Sequence, residues 1–206
     1  RFQHSTLEDY LGLYETTWTD RLNRHYDAFR RCFSKHDIRV RGEGTATYAT
    51  LPEAVMAEIA LLNPDMKVIV MARHPVQRAI SHARKDLNRQ FNGDEVPEEA
   101  ILDFVSTGSQ LRLGDYPGIV ATWRKYLKHD HVMFGDYRLI QGDPVKLLSE
   151  VQRFLEIRVG KRYTKTRLLR ERINPTEKAP LSEAVQQQIE QLYAPHVASY
   201  EGLWPA

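Results

Sequence analysis

The sequence predicts an α/β protein in three layers, a central parallel sheet flanked by helices. Three observations predict it. Residues 67–72, KVIVMA, form a continuous apolar, β-branched run of the kind found in strands buried within a parallel sheet. Segments with apolar residues at helical spacing stand before and after that run, so strands and helices alternate. The intervals between strands are long enough for the helical crossovers that parallel neighbours require.

Taken in order, Ser5 and Glu8 have capping-box spacing, and Leu7, Tyr10, Leu11 and Tyr14 follow at helical intervals, which predicts a first helix. Leu22, Tyr26, Phe29 and Phe33 predict a second. A short alternating segment predicts a strand from Ile38 to Gly42, followed by the turn-rich stretch GTATYATLP. Pro52 opens a helix with Val55, Met56, Ile59 and Leu62 on one face, ended by Asn63, Pro64 and Asp65. After KVIVMA, Pro75 starts a helix that buries Val76, Ala79, Ile80, Ala83 and Leu87 and leaves Arg78, Ser81 and Lys85 on its other side. A polar helix is expected near Pro97 to Val105, and Tyr116, Ile119, Val120, Trp123 and Leu127 predict the next. HVMFGD reads as the third strand. Asp143 before Pro144 is a helix start, with Leu148, Val151, Phe154 and Leu155 as the inner face. The last helix begins near Ser182 and carries Val185, Ile189, Leu192 and Tyr193.

The 206 residues suit one domain, 1–206, and the hydrophobic and charged fractions of 42% and 27% are those of a globular protein. A formal net charge of +2 is too small to imply a nucleic-acid partner. Basic residues do cluster, from Arg73 to Arg89 and from Lys161 to Arg172, which suits an anionic ligand of limited size. Cys32 is the single cysteine, so no intrachain disulfide forms and a cytoplasmic location is expected. No apolar run has the ~20 residues of a membrane span. No HExxH or Cys-x-x-Cys pattern demands a metal.

Open parallel sheets bind ligands beyond the carboxyl ends of their strands, and the residues at those ends are Glu43, Arg73 and Asp136. The segment ARHPVQRAIS is the most informative. Arg73 leaves a buried strand, Pro75 begins the next helix, and the free amides of that helix start favour an anion. Arg73 adds a planar donor fork, and Ser81 places a hydroxyl about 9 Å further along the helix, at ~1.5 Å per residue. An alternative stays open: Arg73 pairs with a core carboxylate and Ser81 is an ordinary polar-face residue. Tyr48, Trp123 and Tyr126 are candidates to line an acceptor pocket, although aromatics at helical spacing are more often core.

RHPVQRAIS resembles the segment that binds the 3′-phosphate in sulfotransferases using 3′-phosphoadenosine 5′-phosphosulfate (PAPS). GEGTATY, GDYPGIVATWRKYL and FGDYRLIQGDPVKLLSEVQRFLEI resemble three further segments of that family in the same order, covering Arg41 to Ile157. The resemblance implies a P-loop NTPase-like sulfotransferase fold with PAPS as co-substrate, adenosine 3′,5′-bisphosphate as product and no metal. It implies that Arg73 and Ser81 hold the 3′-phosphate and that Glu43 is the general base on a hydroxyl or amine of a small-molecule or glycan acceptor. It assigns a basic loop to GKRYTKTRLLRER, so Lys161 and Arg162 are expected at the nucleotide, with Lys165 and Arg167 as further candidates. His74 and His82 match no catalytic position, and Arg78 is expected to orient the loop by ion pairing. Two departures are plain. The family's first strand and phosphosulfate-binding loop have no match here, so the domain is expected to be truncated at its start. Gly44 stands where some members carry lysine. A non-catalytic nucleotide- or anion-binding module and a small-molecule kinase of similar fold are the alternatives.

Overall fold

A computed structural model of the chain describes residues 40, 42–91, 95–157, 169 and 180–204. The chain divides into two compact units, Arg1–Gly42 and Glu43–Ala206, and the second carries the architecture below. The two helices expected at the start, most of the strand expected from Ile38 to Gly42, and the basic loop lie outside the described residues. Of that strand, Val40 and Gly42 are described, and neither is in a strand.

The sheet among the described residues has two parallel strands, β1 (Val68–Ala72) and β2 (Val132–Asp136), in register from Val68 opposite Val132 to Ala72 opposite Asp136. Both strand predictions hold, each shortened by its first residue. Lys67 precedes β1, and His131 ends a short 3-10 turn. β1 is less buried than its apolar run suggests. Val68 to Val70 are half-buried and Met71 is 37% exposed; among the described residues each strand has a strand neighbour on one side only. Gly135, opposite Met71, leaves the space that the Met71 thioether fills.

Helices α1 (Glu53–Leu62), α2 (Pro75–Gln90), α3 (Glu98–Val105), α4 (Gly108–Arg112) and α5 (Tyr116–Tyr126) lie between or before the strands. After β2 come α6 (Leu139–Gly142), α7 (Pro144–Phe154) and α8 (Glu183–Glu201). α5 packs on both strands, α7 on β2, and α1 on α5. The short helices α4 and α6 have no apolar periodicity to announce them. Two face assignments need correction. Leu62 is 46% exposed, and Ala60 takes its place in the buried face of α1. In α7 the most buried residue is Gln152 rather than an apolar one.

The main core joins α2, α3 and α8: Val76, Ala79, Ala83 and Leu87 meet Ile101 and Val105, and Ile189 and Tyr193. Ala79 and Ala83 are fully enclosed, and their small side chains let the neighbouring helices approach. The buried Tyr193 hydroxyl donates to the carbonyl of Val105 at 2.8 Å, satisfying an acceptor at the end of α3.

α5 is started by Asp115, whose carboxylate accepts from the amide of Gly118 at 3.1 Å. A Cβ at position 118 would collide with that carboxylate. Gly118→Ala is therefore expected to cost about 0.5–2 kcal/mol by displacing the cap, as Asp115→Ala does. In the Asp115→Ala background the same glycine change costs nothing, since a helical alanine is favoured over glycine by ~1 kcal/mol. Urea unfolding of the two single variants and the double variant checks this; additive losses contradict it.

Candidate functional site

The pairing of Ala72 with Asp136 sets the two strand ends side by side, so Arg73 and Tyr137 leave the sheet as neighbours. The amide of Tyr137 donates to the carbonyl of Ala72 at 3.0 Å and continues the ladder by one bond. The Arg73 guanidinium lies over the Tyr137 ring, 4.9 Å from its centroid. Its Nε is buried and finds no acceptor, and among the described residues no carboxylate pairs with it. The alternative in which Arg73 serves a core ion pair thus has no support among these residues.

The backbone of Arg73 is gripped from α5. The Tyr116 hydroxyl donates to the Arg73 carbonyl at 2.7 Å and accepts from its amide at 3.1 Å. Asp115 and Pro117 start α5 at the position that makes this reach possible. Burial pushes the Tyr116 phenol up, against the opposing pull of its hydrogen bond to Arg73 and the nearby arginine charges.

α2 begins at Pro75 with no side chain capping its first turn. One turn in, Arg78 was expected to act through an ion pair, and among the described residues it forms none. It donates from Nη1 to Oε1 of Gln110 at 3.1 Å and from Nη2 to the Gln110 carbonyl at 2.7 Å, both neutral oxygens. Its Nε is also buried and partnerless. Burial is the largest influence on Arg78 and lowers its proton affinity against the opposing pull of Tyr193 and Tyr116, and the charge of Arg73 adds to the lowering. Two guanidinium groups therefore lie within each other's field at a helix start. Ser81 is half-buried on the same helix, so the arginine and serine of the motif belong to one strand–turn–helix unit.

Glu43 stands exposed ahead of the 3-10 turn Ala46–Thr50, and the Tyr48 hydroxyl donates to its Oε1 at 2.5 Å. Asp136, the other candidate carboxylate, is held by Arg138: Nε lies 3.0 Å from each oxygen, and the Arg138 amide 2.8 Å from Oδ1. Burial works to raise the Asp136 carboxyl, but the hydrogen bonds and charge of Arg138 together hold it below the usual carboxylate range. Arg138 also lies over Trp204, 5.5 Å from the ring centroid.

The remaining candidates separate cleanly. Trp123 is 4% exposed and belongs to the core, and Tyr126 donates to Glu53 at 2.7 Å. His74 precedes α2 and meets the ring of Tyr200 edge-on at 5.8 Å. Nδ1 of His82 lies 3.1 Å from Gln110 Oε1 and Nε2 lies 3.3 Å from Asp86. Lys161, Arg162, Lys165 and Arg167 lie outside the described residues. Among the described residues no group of three His, Cys, Asp or Glu side chains converges as metal ligands. Tyr116, Gln110 and Tyr200 were not expected at this site. Tyr116 lies within GDYPG, and the other two carried no signal in the sequence.

This is a parallel α/β protein whose strand end presents positive charge, without a carboxylate partner among the described residues, at the start of a helix. The sulfotransferase domain family matches residues 46–194, more than half of the chain, and the chain belongs to that family. It is 30% identical over 129 residues to heparan sulfate glucosamine 3-O-sulfotransferase 6 of Mus musculus and of Homo sapiens, covering 59% of this chain and 36% of each relative. Heparan sulfate glucosamine 3-O-sulfotransferase 3B1 of Homo sapiens is 27% identical over 130 residues, covering 59% and 32%. The chain thus spans about a third of the length of the curated relatives it matches.

Tyr116, Tyr193 and Tyr200 all have their phenols pushed up, burial being the first cause in each. An unfolded tyrosine ionises near pH 10.0, whereas the folded ones stay neutral there. Their contribution is complete below that pH and is lost as pH rises through the folded values. The urea midpoint is expected to fall as pH rises past about 10, where the unfolded tyrosines ionise first, and Tyr116→Phe to flatten that fall. An unchanged slope for the variant contradicts this.

Proposed function

We propose that the protein is a sulfotransferase that moves a sulfuryl group from PAPS to a hydroxyl or amine acceptor and releases adenosine 3′,5′-bisphosphate. The observation that carries this reading is the Arg73 guanidinium, half-buried at the end of β1 beside Arg78, with no carboxylate partner among the described residues. Two adjacent cations in partly desolvated surroundings favour a doubly charged anion, which the 3′-phosphate of the carrier is. Arg73 supplies a fork of donors, the uncapped start of α2 supplies amides, and Ser81 supplies a hydroxyl. Lys161 and Arg162 are assigned to the nucleotide on the family resemblance.

Glu43 is assigned as the general base. The acceptor oxygen bonds to sulfur and its proton passes to the Glu43 carboxylate. The bond from sulfur to the bridging phosphate oxygen breaks, and its electron pair stays with the phosphate. Exposure makes Glu43 reachable by an acceptor, and the Tyr48 hydroxyl orients its carboxylate. The names of the relatives point to a glucosamine unit of heparan sulfate, so a glycan hydroxyl is the acceptor class proposed first. Gly44, where some members of the family carry lysine, means that their acceptor geometry is not carried over with it.

A thermal-shift comparison tests the donor site: adenosine 3′,5′-bisphosphate raises the melting temperature more than ATP does, and Arg73→Ala removes that rise. Equal shifts for wild type and variant contradict the assignment. For the base, Glu43→Gln is expected to lower sulfuryl transfer from labelled PAPS to a glucosamine-containing oligosaccharide by about 10²–10⁴-fold. Bisphosphate binding stays unchanged. Transfer at the wild-type rate would leave Glu43 a structural residue.

A further inference from the structure

Gln110 is 5% exposed, the most enclosed polar side chain among the described residues, and it lies in α4 against α2. Its Oε1 faces two groups of α2, Nη1 of Arg78 and Nδ1 of His82, each at 3.1 Å, and its backbone carbonyl faces Nη2 of Arg78 at 2.7 Å. A guanidinium can only donate, so the amide oxygen rather than the amide nitrogen must point at Arg78. The result is a half-buried cation whose hydrogen-bonding partners among the described residues are neutral oxygens.

We propose that Gln110 is a specificity-determining residue of the anion site. By satisfying the Arg78 fork without supplying a negative charge, it leaves the Arg78 charge, on the helix that follows Arg73, for a doubly charged ligand group to neutralise. The inference rests on the reading of Arg73 as an anion-binding residue and extends it to a residue that touches no ligand. Gln110 acts through Arg78, so it is a positioning residue.

The chemistry separates this role from ordinary packing. A buried cation is normally matched by a carboxylate, because desolvating an unpaired charge is costly. Glutamate has nearly the shape of glutamine and would meet the same Arg78 fork bidentately. The glutamine keeps the hydrogen bonds and withholds the counter-charge. The other charged and titratable groups near the pair do not replace it. Tyr116 is committed to the Arg73 backbone, and the Tyr193 hydroxyl, which donates to the Val105 carbonyl, meets Arg78 as a neutral phenol and brings no counter-charge. Asp86 faces the Nε2 side of His82, with the imidazole between its carboxylate and Gln110. The exposed Lys85 adds a further positive charge to α2. Among the described residues, the field at this helix start is therefore set by arginine charges that no carboxylate cancels.

The test is Gln110→Glu, measured by calorimetric titration with adenosine 3′,5′-bisphosphate and by urea unfolding without ligand. The new carboxylate neutralises Arg78, so Kd is expected to rise about tenfold or more while the urea midpoint holds or rises. Affinity and stability moving in opposite directions is a result that a packing role does not produce. Unchanged affinity with a held midpoint overturns the inference and leaves the proposed function intact. Absence of bisphosphate binding by the wild type overturns both. Should Gln110→Glu fail to fold, Arg78 decides the matter: Arg78→Lys keeps the charge and binds within about threefold of wild type, whereas Arg78→Met loses about tenfold. Equal binding by Arg78→Met and wild type overturns the inference.

Discussion

At the end of β1 the hydroxyl of Tyr116 both donates to the carbonyl and accepts from the amide of Arg73, at 2.7 and 3.1 Å. A backbone turning out of a sheet into a helix leaves both groups without ladder partners, and burying them unsatisfied costs free energy. One phenol meets both needs and ties the strand–helix junction to α5. Because α5 also packs on both strands, the position of Arg73 is referenced to the sheet itself. The guanidinium then needs no ion pair to hold it in place, which is why its charge is available.

The helical layer keeps the second cation in the same condition. α2 is fastened to α3 and α8 by an apolar face in which Ala79 and Ala83 allow close approach, and this face fixes the rotation of α2 about its axis. With Val76, Ala79 and Ala83 inward, Arg78 turns toward α4 and meets Gln110. Packing at one face of the helix thus decides the electrostatics of the other.

The C-terminal helix closes the aromatic side of the strand ends. Tyr200 packs against His74 and Tyr116, and Trp204 meets Phe134 at 6.5 Å and carries Arg138 on its face. That arrangement accounts for the different standing of the two strand-end residues. Asp136 is occupied by an arginine two positions away and braced against Trp204, whereas Arg73 meets an aromatic ring and no carboxylate. A carboxylate already bound by a near neighbour has little left to offer a substrate; an unpaired guanidinium has its whole charge.

Much of this was legible in the chain alone because it depends on local order. The β-branched run before Arg73, Pro75 at the first helical position, Asp115 before Tyr116 and Asp143 before Pro144 announce their elements through backbone chemistry that neighbours in sequence supply. The alternation of those elements was enough for a parallel α/β fold, and the spacing of Arg73 and Ser81 for their place on one strand–turn–helix unit. What the sequence could not state is which long-range partner each polar group takes. Arg78 was expected in an ion pair and instead meets a glutamine 32 residues away; Trp123 was a pocket candidate and lies in the core. Leu62 was placed inside and is exposed, because helical periodicity does not say where the neighbouring helix stops. Charge compensation is a property of groups brought together in space, so only the tertiary structure decided that Asp136 is neutralised and that, among the described residues, no carboxylate meets Arg73 or Arg78.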